Sequence, residues 1–343
     1  MILSLFAGCG GLDLGFEQAG FKTGLAYDIR PYSVSSWNQN RPDNPVGRAA
    51  DINQLTLAAL DEHFGGPFKP TGVIGGPPCQ SFSRGNSSKS ENDPREKLVA
   101  RYFSICLKLH RRSPLDFIMM ENVQELASAT YENILNAQIE KLKRAKFSVH
   151  FEVLDAADFG VPQFRKRLIL VAFNKVKFSN LVWSAPTGTQ ENRMTVKDAI
   201  GGLKHPVFFS REIVPSEIPV HPNHWCMMPR SNKFFNGTLK QGEKFGRSFK
   251  TLEWSRPSNT VSYGHREVHV HPSGKRRLSI YEAMLLQGFP KSFVLNGNLS
   301  QQVTQVSEAV PPPLAFMIAK SIREQIKGSS SSQTASEEIA EAA

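Results

Sequence analysis

The chain has 343 residues, with 41 Lys and Arg against 31 Asp and Glu, for a formal net charge of +10. That length suits one large core with an inserted or appended smaller domain, and the positive excess favours a polyanionic partner. No apolar run approaches the ~20 residues of a membrane span. The four cysteines, Cys9, Cys79, Cys106 and Cys226, lack paired spacing, and no secretory signal precedes residues 2–6, so the expected compartment is reducing, the cytoplasm.

Residues 1–7 form a short apolar run ending in Gly8-Cys9-Gly10-Gly11, after which 12–19 read as a helix stopped by Gly20. Backbone amides at such a helix start can bind an anion, and the missing side chains let a cofactor lie against the turn. Asp28 ends a second apolar run, 24–27, about 20 residues further on, where an acid can hold ribose hydroxyls. The pair suggests a nucleoside cofactor. A third run ends in Ala49-Ala50-Asp51-Ile52, where Asp51 could serve both as helix cap and as adenine contact.

Residues 71–74 read as a fourth strand leading into Gly75-Gly76-Pro77-Pro78-Cys79-Gln80-Ser81-Phe82-Ser83. Open α/β sheets place their chemistry at the carboxyl ends of strands. A thiol held there by two stiffening prolines suggests a nucleophile. Residues 84–93, rich in Ser, Asn, Lys and Gly, read as a mobile loop and candidate lid.

Residues 95–111 have the pattern of an amphipathic helix, and 116–120 that of a buried strand ending in Glu121-Asn122-Val123, on the same rim as Cys79. A helix over 131–145 and a strand over 149–154 follow. Gln163-Phe164-Arg165-Lys166-Arg167 then precedes the apolar run 168–173. Strand alternation puts Gln163, Arg165 and Arg167 on one face, so one basic side chain can point inward. The repeated alternation predicts an α/β fold with a doubly wound, mostly parallel sheet.

From about residue 184 the regularity breaks. Residues 184–271 read as a separate smaller domain between 1–183 and a return over 272–327, with helices expected over 278–288 and 313–326 and a disordered tail over 328–343. Arg230, Lys233, Lys240, Lys244, Arg247 and Lys250 in the smaller domain suit phosphates. His221, His224 and Cys226, like His265, His269 and His271, lack the paired spacing of a zinc site, and no metal is expected.

Taken in this order, the stretches resemble the DNA (cytosine-5) methyltransferase family of the bacterial restriction-modification type, over almost all of residues 1–325. Ser4-Leu5-Phe6-Ala7-Gly8-Cys9-Gly10-Gly11 is similar to its cofactor turn, Gly76-Pro77-Pro78-Cys79-Gln80 to its nucleophile loop and Glu121-Asn122-Val123 to its catalytic acid segment. Gln163 to Arg167 resembles its basic motif, and Arg277-Leu278-Ser279 with Gln287-Gly288-Phe289-Pro290 the motif closing its recognition domain. Two positions depart: Ser4 stands where Asp is frequent, and Ser307-Glu308 replaces a usual Gly-Asn before Ala309-Val310-Pro311.

The resemblance implies a Rossmann-like S-adenosylmethionine-dependent fold with a target-recognition domain. It implies cofactor binding by Phe6, Gly8, Gly10, Gly11, Leu12, Asp28, Ile29, Asp51, Ile52 and Pro78, with Asp28 on the ribose and Asp51 on the adenine amine. Catalysis would fall to Cys79, Glu121 and Arg165. The implied partner is double-stranded DNA, bound by a monomer that flips its cytosine out, with a companion restriction endonuclease acting on the same site. A transfer RNA substrate, a non-catalytic DNA-binding relative and a nicotinamide oxidoreductase are the competing readings. The Cys-Phe-Thr signature of the RNA branch is not present, and an oxidoreductase would leave Cys79 and the basic insertion unexplained.

Overall fold

The computed structural model describes residues 1–78, 96–246, 248–260 and 269–341. Cys79 as nucleophile, the lid over 84–93, Arg247 and His265 therefore lie outside the described residues.

In chain order, β1 (Ile2–Leu5), α1 (Gly11–Gln18), β2 (Thr23–Asp28), α2 (Pro31–Gln39), β3 (Gly47–Ala49), α3 (Leu57–Phe64) and β4 (Gly72–Gly75) precede the undescribed loop. After it come α4 (Glu96–Arg112), β5 (Phe117–Val123), α5 (Glu132–Arg144), β6 (Phe147–Asp155) and β7 (Lys166–Asn174). These strands form one seven-stranded sheet in the order β3-β2-β1-β4-β5-β7-β6. The pairs from β3 to β5 are parallel, whereas β7 runs antiparallel to both β5 and β6.

The central strands are mostly apolar because both faces are covered. Leu60, Tyr102 and Leu142 pack one face, and Phe16, Leu314 and Ile318 the other. Register then sets the site: Leu5 lies opposite Tyr27 and Gly75, and Gly75 opposite Met120. The carboxyl ends of β2, β1, β4 and β5 thus open on one rim, around the place where strand order reverses between β1 and β4.

Beyond β7 lie α6 (Val196–Ile200), β8 (Val207–Phe208), β9 (Trp225–Cys226), β10 (Lys244–Phe245), β11 (Phe249–Thr251) and β12 (His269–Val270). They make a two-stranded and a three-stranded sheet, β8-β9 and β10-β11-β12. Phe234, Leu239 and Val270 form a small core there. The chain returns through α7 (Ile280–Leu286), α8 (Leu299–Glu308) and α9 (Pro312–Glu341). Glu282 on α7 is buried, closes a capping box with Ser279 and takes both Arg276 Nη atoms at 2.7 Å.

Four helices, α2, α3, α6 and α8, are additions to the sequence expectation. α9 is continuous to Glu341, across most of the stretch expected as a disordered tail, 328–343. After Gly328 there is no proline, and Ala and Glu recur beyond the run Ser329 to Ser332. Among the described residues, His221 and His224 make packing and hydrogen-bond contacts. His221 stacks on Tyr281 at 4.0 Å, and His224 contacts Ser279 Oγ and the Lys204 carbonyl through its two ring nitrogens.

Candidate active site

The turn after β1 holds two positive-φ residues flanking Ala7. Phe6 has φ 57° and Gly8 φ 56°, and a positive φ at a bulky residue is a strain that persists only where surroundings impose it. The Gly8 amide donates to Asp28 Oδ2 and the Arg30 amide to Asp28 Oδ1, both at 2.9 Å, tying the turn to the end of β2. Burial pushes the Asp28 carboxyl up against the opposing pull of those amides. Gly10, at φ 92°, allows no side chain: a Cβ there would stand 2.6 Å from Trp37 Cδ1.

Beneath the turn, Asp13 on α1 is fully buried beside Ser4, Trp37 and Arg41. Arg41 stacks on Trp37 at 4.2 Å and donates to Glu17 and to the Gly10 carbonyl. Burial raises the Asp13 carboxyl to about 6, although Arg41 opposes the shift. Stability from this group is complete below the unfolded value of ~3.9 and lost as pH rises through the folded one. The non-titrating Asp13→Asn variant should therefore gain on the wild type, by about 3 kcal/mol between pH 4 and pH 7. Thermal melts across that range test this, and a pH-independent difference would refute it.

On the other side of the switch point, Gly76, Pro77 and Pro78 leave β4 along the wall that carries Glu121. A Cβ on Gly76 would meet Glu121 Oε2 at 3.0 Å, and Asn122 Nδ2 donates to the Pro77 carbonyl at 3.2 Å. Glu121 is 8% exposed, and Arg167 Nε lies 2.8 Å from its Oε1. Arg165, 2% exposed, donates through Nη2 to the Ser307 carbonyl, while its amide donates to Asp155 Oδ1, each at 2.9 Å. Gln163 is buried and bonds to Gln287, whose Nε2 reaches the Ala309 carbonyl.

These groups enclose a cavity of about 210 Å³. Phe6, Gly8, Leu12, Asp28, Ile29 and Pro78 line it, with Glu121, Arg165 and Arg167 at one end and Arg30 and Glu308 at the other side. Arg30 and Glu308 form a bidentate ion pair, with Arg30 Nη2 2.9 Å from Glu308 Oε1 and Nη1 on the second oxygen. The described cysteines are poor nucleophiles: Cys9, Cys106 and Cys226 are buried, and burial pushes Cys9 and Cys226 to about 12 and Cys106 up as well.

A family profile for C-5 cytosine-specific DNA methylase matches residues 1–324. The chain belongs to that family. The type II methyltransferase M.FnuDI of Fusobacterium nucleatum is 30% identical over 347 residues, covering 95% of this chain and 94% of its own. The type II methyltransferase M1.HphI of Haemophilus parahaemolyticus is 32% identical over 331 residues, covering 93% and 86%. Among solved structures, a chain assigned as a prophage-encoded DNA modification methyltransferase from E. coli superposes with a TM-score of 0.79 at 21% identity, covering 95% and 99%, a likeness of fold. The protein is thus a DNA (cytosine-5)-methyltransferase family enzyme with the family's mixed seven-stranded sheet.

Within the methylase cavity the structure gathers most, though not all, of the residues read from sequence. Gly10 and Gly11 lie off its lining, packed against Trp37 and the Val310 carbonyl, so they shape the turn from behind. Asp51 and Ile52 also lie off it: Asp51 Oδ1 accepts from the Asn53 amide, and Ile52 is in the core. Three charged lining residues were not singled out for the site by sequence, Arg167, Arg30 and Glu308. Arg167 was signalled by its alternation with Arg165; Arg30 carried no signal.

The methylase family uses S-adenosylmethionine as methyl donor, and the cavity fits an adenosine-bearing molecule. Gly8 has open space where a Cβ would stand, and Ile29 is 64% exposed beside Asp28, offering an apolar face to a base. Each Asp28 oxygen takes one backbone amide and can accept a second donor such as a ribose hydroxyl.

Proposed function

We propose that the enzyme methylates carbon 5 of a cytosine flipped out of duplex DNA, with Cys79 as nucleophile and S-adenosylmethionine held by Phe6, Gly8, Leu12, Asp28, Ile29 and Pro78. The observation that carries the reading is the convergence of the Gly76–Pro78 path with Glu121 and Arg167 beside the glycine turn. Carbon 5 of an aromatic, electron-poor ring cannot attack a methyl sulfonium directly. Addition of the Cys79 thiolate to carbon 6 breaks the aromaticity and moves an electron pair toward carbon 5 and ring nitrogen 3.

Glu121 shares a proton with nitrogen 3, and the arginines at that end hold the carbonyl oxygen, so the charge that arrives on the ring is relieved. The bound S-adenosylmethionine supplies an electrophilic methyl group. Carbon 5 takes the methyl, its proton passes to a base, and elimination restores the ring and frees the thiol. The sequence assigned the oxygen to Arg165, but Arg167 is the arginine joined to Glu121, so both belong to the proposal. Arg167→Gln should lower kcat by about 10²–10³ while cofactor affinity stays near wild type. An unchanged kcat would remove Arg167 from the chemistry.

Carbon 6 is shielded in the stack, so the base must leave it. Residues 184–271 are proposed to read the target, with exposed Arg230, Lys240 and Lys244 available to phosphates. The names of the type II relatives support a role in protecting host DNA, alongside an endonuclease of the same specificity. No described helix is long and apolar enough to cross a membrane, and a cytoplasmic monomer on DNA is the corresponding proposal. Bisulfite sequencing of DNA from a host expressing the protein tests substrate and target together. Transfer of labelled methyl to transfer RNA but not to duplex DNA would replace the reading.

A further inference from the structure

The cavity carries one ion pair that the chemistry above leaves unused. Arg30 follows β2 and precedes α2, Glu308 ends α8, and the two stand 278 positions apart in sequence. A carboxylate at a helix C-terminus faces the negative end of the dipole, an unfavourable placement by about 0.3–1 kcal/mol. Nor does the pair do much for stability, since its side chains are 30% and 42% exposed and ion pairs so exposed are worth little. Neither the helix nor the fold accounts for this pair, yet both members line the cavity.

The neighbours on that side are neutral, Ser33, Gln305 and Ser307, apart from Asp28, whose oxygens hold the Gly8 and Arg30 amides. The second ion pair of the cavity, Glu121 with Arg167, belongs to β5 and β7. In the strand order β2-β1-β4-β5, the ends of β2 and β5 are three spacings apart, about 14 Å. One end therefore holds the reacting ring, and the other presents one positive and one negative group side by side.

Resting on the cofactor reading above, we propose that Arg30 and Glu308 recognise the zwitterionic amino-acid head of the cofactor. The Arg30 guanidinium takes the α-carboxylate, and the Glu308 carboxylate takes the α-ammonium. In the free enzyme the two residues neutralise one another, and binding exchanges one internal pair for two with the ligand. Net charge at the rim is conserved through the exchange, so no uncompensated charge is buried. The planar guanidinium fork suits a carboxylate in two-point contact, as it already does with Glu308.

Calorimetry on the full-length protein tests the proposal with two probes, S-adenosylhomocysteine, which keeps the head, and methylthioadenosine, which lacks it. The wild type should prefer the first. In Glu308→Gln and in Arg30→Gln that preference should fall about tenfold, with methylthioadenosine affinity nearly unchanged as the sign of an intact cavity. If a variant loses both probes, Arg30→Lys, which keeps the charge but not the fork, carries the same expectation of a reduced preference. An unchanged preference in the variants overturns the proposal alone. An equal tightening of both probes also overturns it, because the pair would then be a bare latch. Failure of the wild type to bind S-adenosylhomocysteine would remove the cofactor reading and this proposal together.

Discussion

Replacing Cys79 with serine should lower methyl transfer to duplex DNA by at least about 10³-fold. A serine hydroxyl is far less acidic than a thiol, so little nucleophile exists at neutral pH, and no other cysteine can substitute. Cys9, Cys106 and Cys226 are buried with their thiols pushed up, and a neutral, enclosed thiol neither adds to carbon 6 nor reacts with an alkylating reagent. Brief treatment of the native enzyme with iodoacetamide should accordingly label Cys79 and spare the others, read by mass spectrometry. Full activity in Cys79→Ser would end the covalent mechanism.

The second large effect concerns stability. Glu282 is buried at the start of α7, where it takes both Arg276 Nη atoms at 2.7 Å and the Ser279 amide at 2.8 Å. Burial alone would push its carboxyl up, but Arg276, with His271 and the Ser279 amide, holds it below the usual range. Glu282→Ala leaves the Arg276 guanidinium buried without its carboxylate and opens the capping box, at a cost of about 3–5 kcal/mol. The melting temperature should drop by about 4–7 °C. Arg276→Met combined with Glu282→Leu should be less damaging than Glu282→Ala, since the buried charge is removed with its partner. A loss under about 1 kcal/mol in Glu282→Ala would show that the pair is solvated.

What the sequence displayed follows from burial. The central strands are covered on both faces and read as continuous apolar runs, so β1, β4, β5 and β7 were visible and the residues just beyond them could be placed on one rim. Glu121 was legible for that reason. Arg165 and Arg167 shared a face by alternation, but their partners depend on the register that sets Val123 opposite Arg167, which no local pattern contains. Asp51 was placed by its residue type at a strand end, and its Oδ1 accepts from the Asn53 amide of its own turn. Glu308 was visible only as a departure from the family pattern, because its meaning lies in Arg30, far off in the chain and brought near by the return of α8.

That return has a consequence for synthesis on the ribosome. The turn made first, from residues 6–12, borders a cavity whose last-made wall is Gln305 to Val310, and α1 packs against α9. Everything between, including the proposed reading domain, is translated before the wall exists. A nascent chain therefore has no complete methyl-donor cavity until the residues that select the target have emerged, and a product truncated before residue 305 would be chemically silent rather than indiscriminate.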